Sequence, residues 1–190
     1  MNRLVPALVA LTALLAAPQT GQTQENGAHS YELPNLDIFE LDIPPAWDET
    51  IDQPADGGPP TIQLHPREGA AFEIYVTPGW PVEPDVAAPD LETLRETVRA
   101  SAERVRELAG EPPIEIRRLQ GSSGVGYYFV APEGAPQTEE FRYMNQGMLL
   151  VGELIVQFTI LTNEGQDAVV EEAFAMLKSA VHRHAGLDQR

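Results

Sequence analysis

The stretch of sequence that decides the fold reads LIVQFTILT and spans residues 154–162. Its alternate positions from Leu154 to Ile160 are all apolar, which predicts a strand with one face in the core. Ile155 and Leu161 leave part of the other face apolar as well. A strand that is apolar on both faces is typical of the centre of a sheet that is covered on both sides.

Shorter stretches with strand-like alternation lie before this segment, and Gly- and Pro-rich turns separate them. Turns are expected at residues 121–124 and 145–147. Because short turns join consecutive strands, neighbouring strands should be antiparallel. The predicted strands are residues 38–43, 61–65, 71–77, 114–119, 126–131, 140–145 and 148–153.

A first helix is predicted between Asp90, a suitable N-cap, and Gly110. Apolar residues recur there at steps of three and four, as on one face of a helix. Arginine and glutamate fill the other face, where pairs such as Glu96–Arg99 and Glu103–Arg106 are spaced for ion pairing. A charged face of this kind is typical of a solvated surface.

A second helix is expected to begin near Asn163, with Gln166 three residues later as in a capping box, and to end at Gly186. His182 and His184 fall within it. Residues two apart on a helix point to different faces, so this pair is predicted to be a poor metal site. With four scattered histidines and no cysteine, no metal site is expected.

The predicted fold class is α+β, an antiparallel sheet covered by two helices in the order β-β-β-α-β-β-β-β-α. The expected organisation is a signal peptide over residues 1–22, a flexible tether over 23–35, one domain over 36–184 and a tail over 185–190.

The order of elements and several local strings resemble the PsbP/DcrB-like family of small α+β domains, which includes a Ran-binding nucleotide-release factor. The strings are Ile43-Pro44-Pro45-Ala46-Trp47, Gly124-Val125-Gly126-Tyr127-Tyr128-Phe129, residues 154–162 and Phe174-Ala175-Met176-Leu177-Lys178-Ser179. These are packing signatures rather than chemical motifs. The resemblance implies a binding or assembly module without a shared active site, in a family whose members are often exported or lipid-anchored.

The N-terminus is typical of an export signal. Asn2 and Arg3 precede an apolar run over residues 4–17, which is too short for a bilayer span. We therefore expect a periplasmic or secreted protein without an integral membrane span. The alternative is an uncleaved N-terminal anchor.

The composition excludes several classes of function. The formal net charge is −17, and no Lys or Arg occurs between Arg3 and Arg67. Such a charge disfavours nucleic acid as a partner. The absence of cysteine excludes thiolate catalysis and cysteine-ligated metal centres. Residues 121–125, Gly-Ser-Ser-Gly-Val, lack the last Gly of a nucleophile elbow and are interpreted as a turn.

Candidate contact residues lie in the acidic first half. Asp48, Asp52 and Asp56 are four residues apart, which favours a solvated acidic loop over a calcium site. Trp47 and Trp80 flank proline-rich loops, as lids over the sheet or as exposed anchors for a partner. The second half of the chain contains three arginines on predicted strands, namely Arg117, Arg118 and Arg142. They are expected either to gather in a cationic spot or to pair across strands with Glu115 or Glu140.

The function expected from these observations is non-enzymatic. The chain is predicted to be a binding or assembly-accessory protein of the bacterial envelope that requires no cofactor. Its partner is expected to be another envelope protein with a cationic or apolar surface, because acidic surfaces repel each other. The alternative is a periplasmic hydrolase that uses a carboxylate pair with no recognisable motif.

Overall fold

The computed structural model describes residues 27–33, 37–55, 57–80, 88–109, 114–131 and 140–184. The expected signal peptide, Asp56 and the tail lie outside these ranges. The described residues form ten strands and two helices: β1 (Ala28–Leu33), β2 (Asp37–Asp42), β3 (Trp47–Asp52), β4 (Thr61–Pro66), β5 (Glu73–Gly79), α1 (Leu91–Ala109), β6 (Ile116–Gln120), β7 (Gly124–Ala131), β8 (Tyr143–Val151), β9 (Leu154–Thr162), α2 (Asp167–Ser179) and β10 (Val181–His184).

The strands form two antiparallel sheets. The larger has seven strands in the order β3-β4-β5-β9-β8-β7-β6, and the smaller has three in the order β1-β2-β10. The strand β9 lies at the centre of the large sheet, between β5 and β8, as its apolar sequence predicted. The α+β class with antiparallel pairing and two helices is therefore confirmed.

The two helices cover opposite faces of the large sheet. One face packs against α2 and the small sheet in a single core, in which Phe158 of β9, Phe39 of β2 and Leu177 of α2 are all buried. The other face packs against α1 over β7, through Val98, Ala102 and Phe129. The prediction of a sheet covered by two helices is thus incomplete, because the small sheet covers part of one face.

Local signals define α1 as the sequence predicted. The Asp90 carboxylate accepts a hydrogen bond of 2.8 Å from the Thr93 backbone N–H, so it caps the first turn. This hydrogen bond lowers the pKa of Asp90, since it favours the ionised carboxylate. Arg106 pairs with Glu103 at 2.6 Å on the exposed face.

The second helix is shorter than predicted. It begins at Asp167 instead of Asn163 and ends at Ser179 instead of near Gly186. At its end, the turn between β6 and β7 supplies hydrogen-bond donors. The Ser122 backbone N–H donates to the Lys178 carbonyl at 2.9 Å, and the Ser123 hydroxyl donates to the Ala180 carbonyl at 2.6 Å.

A glycine is required where this turn meets the helix. A Cβ on Gly121 would lie 2.6 Å from the Lys178 carbonyl oxygen, which is shorter than any normal contact. Residues 121–123 are thus a turn, as predicted, and they hold the C-terminus of α2.

Three strand assignments differ from the sequence predictions. Residues 28–33, placed in the expected tether, form β1 and pair with β2 along their whole length. The acidic residues 47–52, expected in a loop, form the edge strand β3. The expected turn at residues 145–147 is absent, because β8 runs unbroken to Val151 and turns at Gly152, whose φ is +58°.

The largest difference lies at the C-terminus. Residues expected to continue the helix form β10, which pairs with β2 in the register His182↔Phe39 and His184↔Asp37. In a strand, residues two apart point to the same face. The prediction that the two histidines point to different faces is therefore wrong.

Neither α1 nor α2, the helices of the described ranges, is long and apolar enough to cross a membrane.

Candidate functional site

A cavity of about 430 Å³ opens between the first half of α2 and the adjacent ends of β6, β7, β8 and β9. This volume is within the range of about 300–1,000 Å³ that is typical of small-ligand sites. The cavity is lined by Arg117, Tyr128, Val130, Tyr143, Asn145, Thr162, Asn163, Glu164, Gly165, Gln166, Asp167, Val170 and Phe174.

The floor of the cavity carries an amide side chain. Asn145 lies on β8 opposite Ile160 of β9, and it is only 5% exposed. Asn145 lines the cavity, and its amide has two N–H donors and one acceptor oxygen. A polar side chain among apolar walls can fix the orientation of a ligand that enters the cavity.

A polar network builds the rim on the α2 side. The Gln166 side-chain oxygen accepts hydrogen bonds from the Asn163 backbone N–H at 2.6 Å and from the Thr162 hydroxyl at 2.9 Å. The Gln166 amide nitrogen donates to the Ala71 carbonyl at 3.1 Å. The interaction expected of a capping box is therefore present, but it fastens the loop before α2 to the sheet instead of starting the helix at Asn163.

Aromatic and cationic groups line the rest of the cavity. The rings of Tyr128 and Phe174 pack 4.8 Å apart and form one wall. Arg117 lies opposite Tyr128 in the strand register. Burial lowers the pKa of Arg117, but its hydrogen bonds to Glu115 and Tyr128 outweigh this effect, so the pKa is raised and the group stays cationic.

The arginines on β6 do not gather in one spot. Arg117 forms an ion pair with Glu115 at 3.3 Å. Glu115 is one of the two predicted partners, but it lies two residues earlier in the chain and the pair does not cross between strands as predicted. Its neighbour Arg118 points to the opposite face of the sheet, because successive residues of a strand alternate. Arg118 donates to the Gln120 side-chain oxygen at 3.2 Å.

The lining residues supply hydrogen bonding and apolar contact rather than an evident nucleophile. Among the described residues that line the cavity there is no serine, cysteine or histidine. The two carboxylates, Glu164 and Asp167, lie on exposed rim positions. The arrangement suits recognition of a polar group at the floor and an apolar group against the aromatic wall.

The tryptophans predicted as contacts lie against the core. Trp47 is 4% exposed, packs edge-on to Phe72 at 5.7 Å and donates from its indole N–H to Glu172 at 3.1 Å. Its burial removes it from any contact surface, in agreement with the lid alternative. Trp80 is partly buried and packs against the same core.

The predicted acidic residues lie along the edge strand β3. Asp48 is exposed and forms an ion pair with Arg67 at 2.8 Å. Arg67 follows β4, the strand that pairs with β3, so one carboxylate of the acidic strand has a basic partner. Glu49 accepts a hydrogen bond from the Tyr31 hydroxyl and contacts His29 at 3.0 Å. Asp52 is exposed at the end of β3, and Asp56 lies outside the described residues. The two described aspartates, Asp48 and Asp52, lie four residues apart along an extended strand and are therefore not brought together.

Asn145, Tyr128 and Phe174 were not predicted as site residues. Asn145 was predicted to lie in a turn with Gln146 and Gly147. A signal was available, because the alternation that places Leu149 and Val151 inward continues back to Asn145 on the same face. A polar residue at an inward position of a central strand indicates a cavity or a network.

Comparison with known proteins gives no family assignment. No protein-family model and no curated protein sequence matches the chain. Among solved structures, the chain is similar to the solution structure of cyanobacterial PsbP (CyanoP) from Synechocystis sp. PCC 6803. The identity is 12%, the match covers 87% of this chain and 97% of that chain, and the TM-score is 0.48.

Proposed function

We propose that this chain is an exported, non-enzymatic binding or assembly-accessory protein of the bacterial envelope. Its partner protein would insert a peptide segment into the cavity between α2 and the large sheet. The observation that carries the proposal is the cavity itself, which places the Asn145 amide on its floor beside the aromatic wall of Tyr128 and Phe174. The short apolar N-terminal run supports export.

A peptide is the ligand chemistry that best fits the floor and the wall. An asparagine amide offers one acceptor and two donors, which match the N–H and C=O of a peptide group. An apolar side chain of the same segment could pack on Tyr128 and Phe174, whose rings form the wall. Arg117 at the cavity favours a carboxylate or carbonyl nearby.

The negative charge of the chain favours a partner with a positively charged surface. With a formal net charge of −17, association is favoured with a cationic protein and disfavoured with other acidic surfaces. The exposed carboxylates at Asp48, Asp52, Glu164 and Asp167 supply part of this field. Binding that is steered by these charges should weaken as salt screens them.

The decisive experiment is affinity purification from an envelope extract with three forms of the full chain, at low and at high salt. The forms are the wild type, Asn145→Leu and the matched control Gln146→Leu. Gln146 lies next to Asn145 on β8, faces the α1 side, and contacts Thr159 at 3.4 Å. The wild type and the control should retain one cationic partner, which Asn145→Leu should lose.

Folding does not confound this test. Asn145 is 5% exposed and borders a cavity, so an apolar leucine at this position is expected to leave the fold intact. Circular dichroism and the Tm of each form check this before the purification. Retention of the same partner by Asn145→Leu would contradict the proposed cavity, and a partner of acidic charge would contradict the proposed steering.

A further inference from the structure

A separate cluster of three side chains lies on the small sheet. His182 and His184 of β10 and Asp37 of β2 face one another, and one ligand atom from each lies within 4.8 Å of the other two. The two imidazole rings are 4.6 Å apart. None of the three residues lines the α2 cavity, so the cluster is distinct from the site described above.

The cluster contains a buried polar atom without a partner. The His182 side chain is 3% exposed, and its Nε2 makes no hydrogen bond to a described residue. That nitrogen faces the Asp37 carboxylate oxygen at 3.4 Å. His184 Nδ1 lies 2.6 Å from the same Asp37 oxygen. An unpaired imidazole nitrogen aimed at a carboxylate indicates that a further species completes the site.

We propose that Asp37, His182 and His184 bind a divalent first-row transition metal ion, with Zn²⁺ as the representative. Two imidazole nitrogens and one carboxylate oxygen are a ligand set that suits zinc, nickel or copper rather than calcium or magnesium. Tetrahedral coordination with bonds of about 2.0–2.1 Å places ligand atoms about 3.3 Å apart. The His182–Asp37 distance already matches this separation, and His184 has to withdraw slightly.

Metal binding requires His182 to move a proton from one ring nitrogen to the other. The Glu153 backbone N–H donates to His182 Nδ1 at 3.2 Å, so the neutral ring carries its proton on Nε2 in the metal-free protein. A metal at Nε2 shifts that proton to Nδ1, and the Glu153 amide must then turn away from the ring. Glu153 lies on the exposed β8–β9 turn, where its backbone N–H can donate a hydrogen bond to water instead of to His182.

The site also depends on a close approach of that turn. Gly152 has φ of +58°, and a Cβ at this position would lie 2.6 Å from His182 Nδ1. The absence of a side chain allows the turn to cover His182 while His184, at 45% side-chain exposure, stays open to solvent. Three protein ligands leave at least one coordination position for water or an exchangeable ligand.

The test is titration of the untagged full chain with Zn²⁺ by calorimetry. The forms to compare are the wild type, His184→Ala, Asp37→Asn and the matched control His65→Ala, which removes a histidine of β4 outside the cluster. We expect one Zn²⁺ per wild-type or control chain with a Kd below about 100 μM. Both cluster variants should bind at least about tenfold more weakly.

Two further measurements use only the wild type, so they test metal binding even if a variant fails to fold. In the wild type, ¹⁵N NMR should show His182 Nε2 and His184 Nδ1 as metal-bound nitrogens and a shifted Glu153 amide. A large excess of Mg²⁺ should not compete, since magnesium prefers oxygen ligands. Equal Zn²⁺ affinity in all four forms, no binding below that Kd, or unchanged histidine nitrogens would overturn the proposal.

Discussion

The two helices cover opposite faces of one sheet, but different parts of the chain hold them in place. At the start of α1 the cap is Asp90, three residues from the N–H that it binds. At the end of α2, the donors come from Ser122 and Ser123, more than 50 residues earlier in the chain. Contacts that are distant in sequence thus determine where α2 stops, whereas α1 is defined locally.

The cores beneath the helices differ in the same way. The α1 face is a small cluster around Val98, Ala102 and Phe129. The α2 face unites that helix, the small sheet and the centre of the large sheet in one cluster. Disrupting the α2 face should therefore affect the whole molecule more strongly than disrupting the α1 face.

The largest effect is expected for Phe158→Ala, at the centre of the α2 face. Phe158 is 2% exposed and meets Phe174 edge-on at 6.3 Å. Removing a buried phenyl ring leaves a cavity and should lower the free energy of unfolding by about 3–5 kcal/mol. Urea denaturation followed by circular dichroism measures this loss. A loss below that of Val98→Ala would contradict the ranking of the two faces.

A smaller loss is expected for Val98→Ala on the α1 face, where Val98 is 1% exposed. Two buried carbon groups at about 0.8 kcal/mol each give a loss of about 1.6 kcal/mol, and the better helix propensity of alanine offsets part of it. The same denaturation experiment applies. Arg99→Ala, on the exposed side of α1, is the control and should stay close to the wild type.

A loss of about 0.5–1.5 kcal/mol is expected for Ser123→Ala, because the Ala180 carbonyl loses its 2.6 Å hydrogen bond. Amide hydrogen exchange in the last turn of α2 and in β10 should speed up. The matched control is Ser101→Ala in α1, whose hydroxyl bonds only to the Thr97 carbonyl of its own helix. That variant should be neutral or slightly stabilised, as alanine is the better helix former. Equal changes in stability for Ser123→Ala and Ser101→Ala would contradict the inference that distant contacts hold the end of α2.

The smallest effect is expected for Asp90→Ala, and it should depend on pH. The Thr93 hydrogen bond lowers the pKa of Asp90 below its usual 3.8, so its stabilisation is complete above that value and is lost as pH falls through the lowered pKa. The difference in Tm between wild type and Asp90→Ala should accordingly be present at neutral pH and shrink in acid. Asp90→Asn keeps the cap without a titrating group, so a pH-dependent Tm difference between Asp90→Asn and Asp90→Ala would contradict this cause.

The predictions from the sequence were confirmed where the hydrophobic periodicity agreed with local signals such as helix caps and turn residues. The alternation in residues 154–162 correctly indicated a central strand, and the repeat from Leu91 with its Asp90 cap correctly indicated α1. The prediction was wrong at Asn145, because two polar residues followed by glycine, as in residues 145–147, are more often found in a turn than in a central strand. For the same reason the site residues were not identified.

The sequence by itself determined the class of the fold, since hydrophobic periodicity acts on neighbouring residues and needs no partner. Only the tertiary structure decided that residues 181–184 leave α2 and become a strand. Residues 181–184 gain backbone hydrogen bonds by pairing with β2, about 140 residues away, and no local signal encodes that pairing. The change of period from helix to strand is also what turns His182 and His184 to one face beside Asp37.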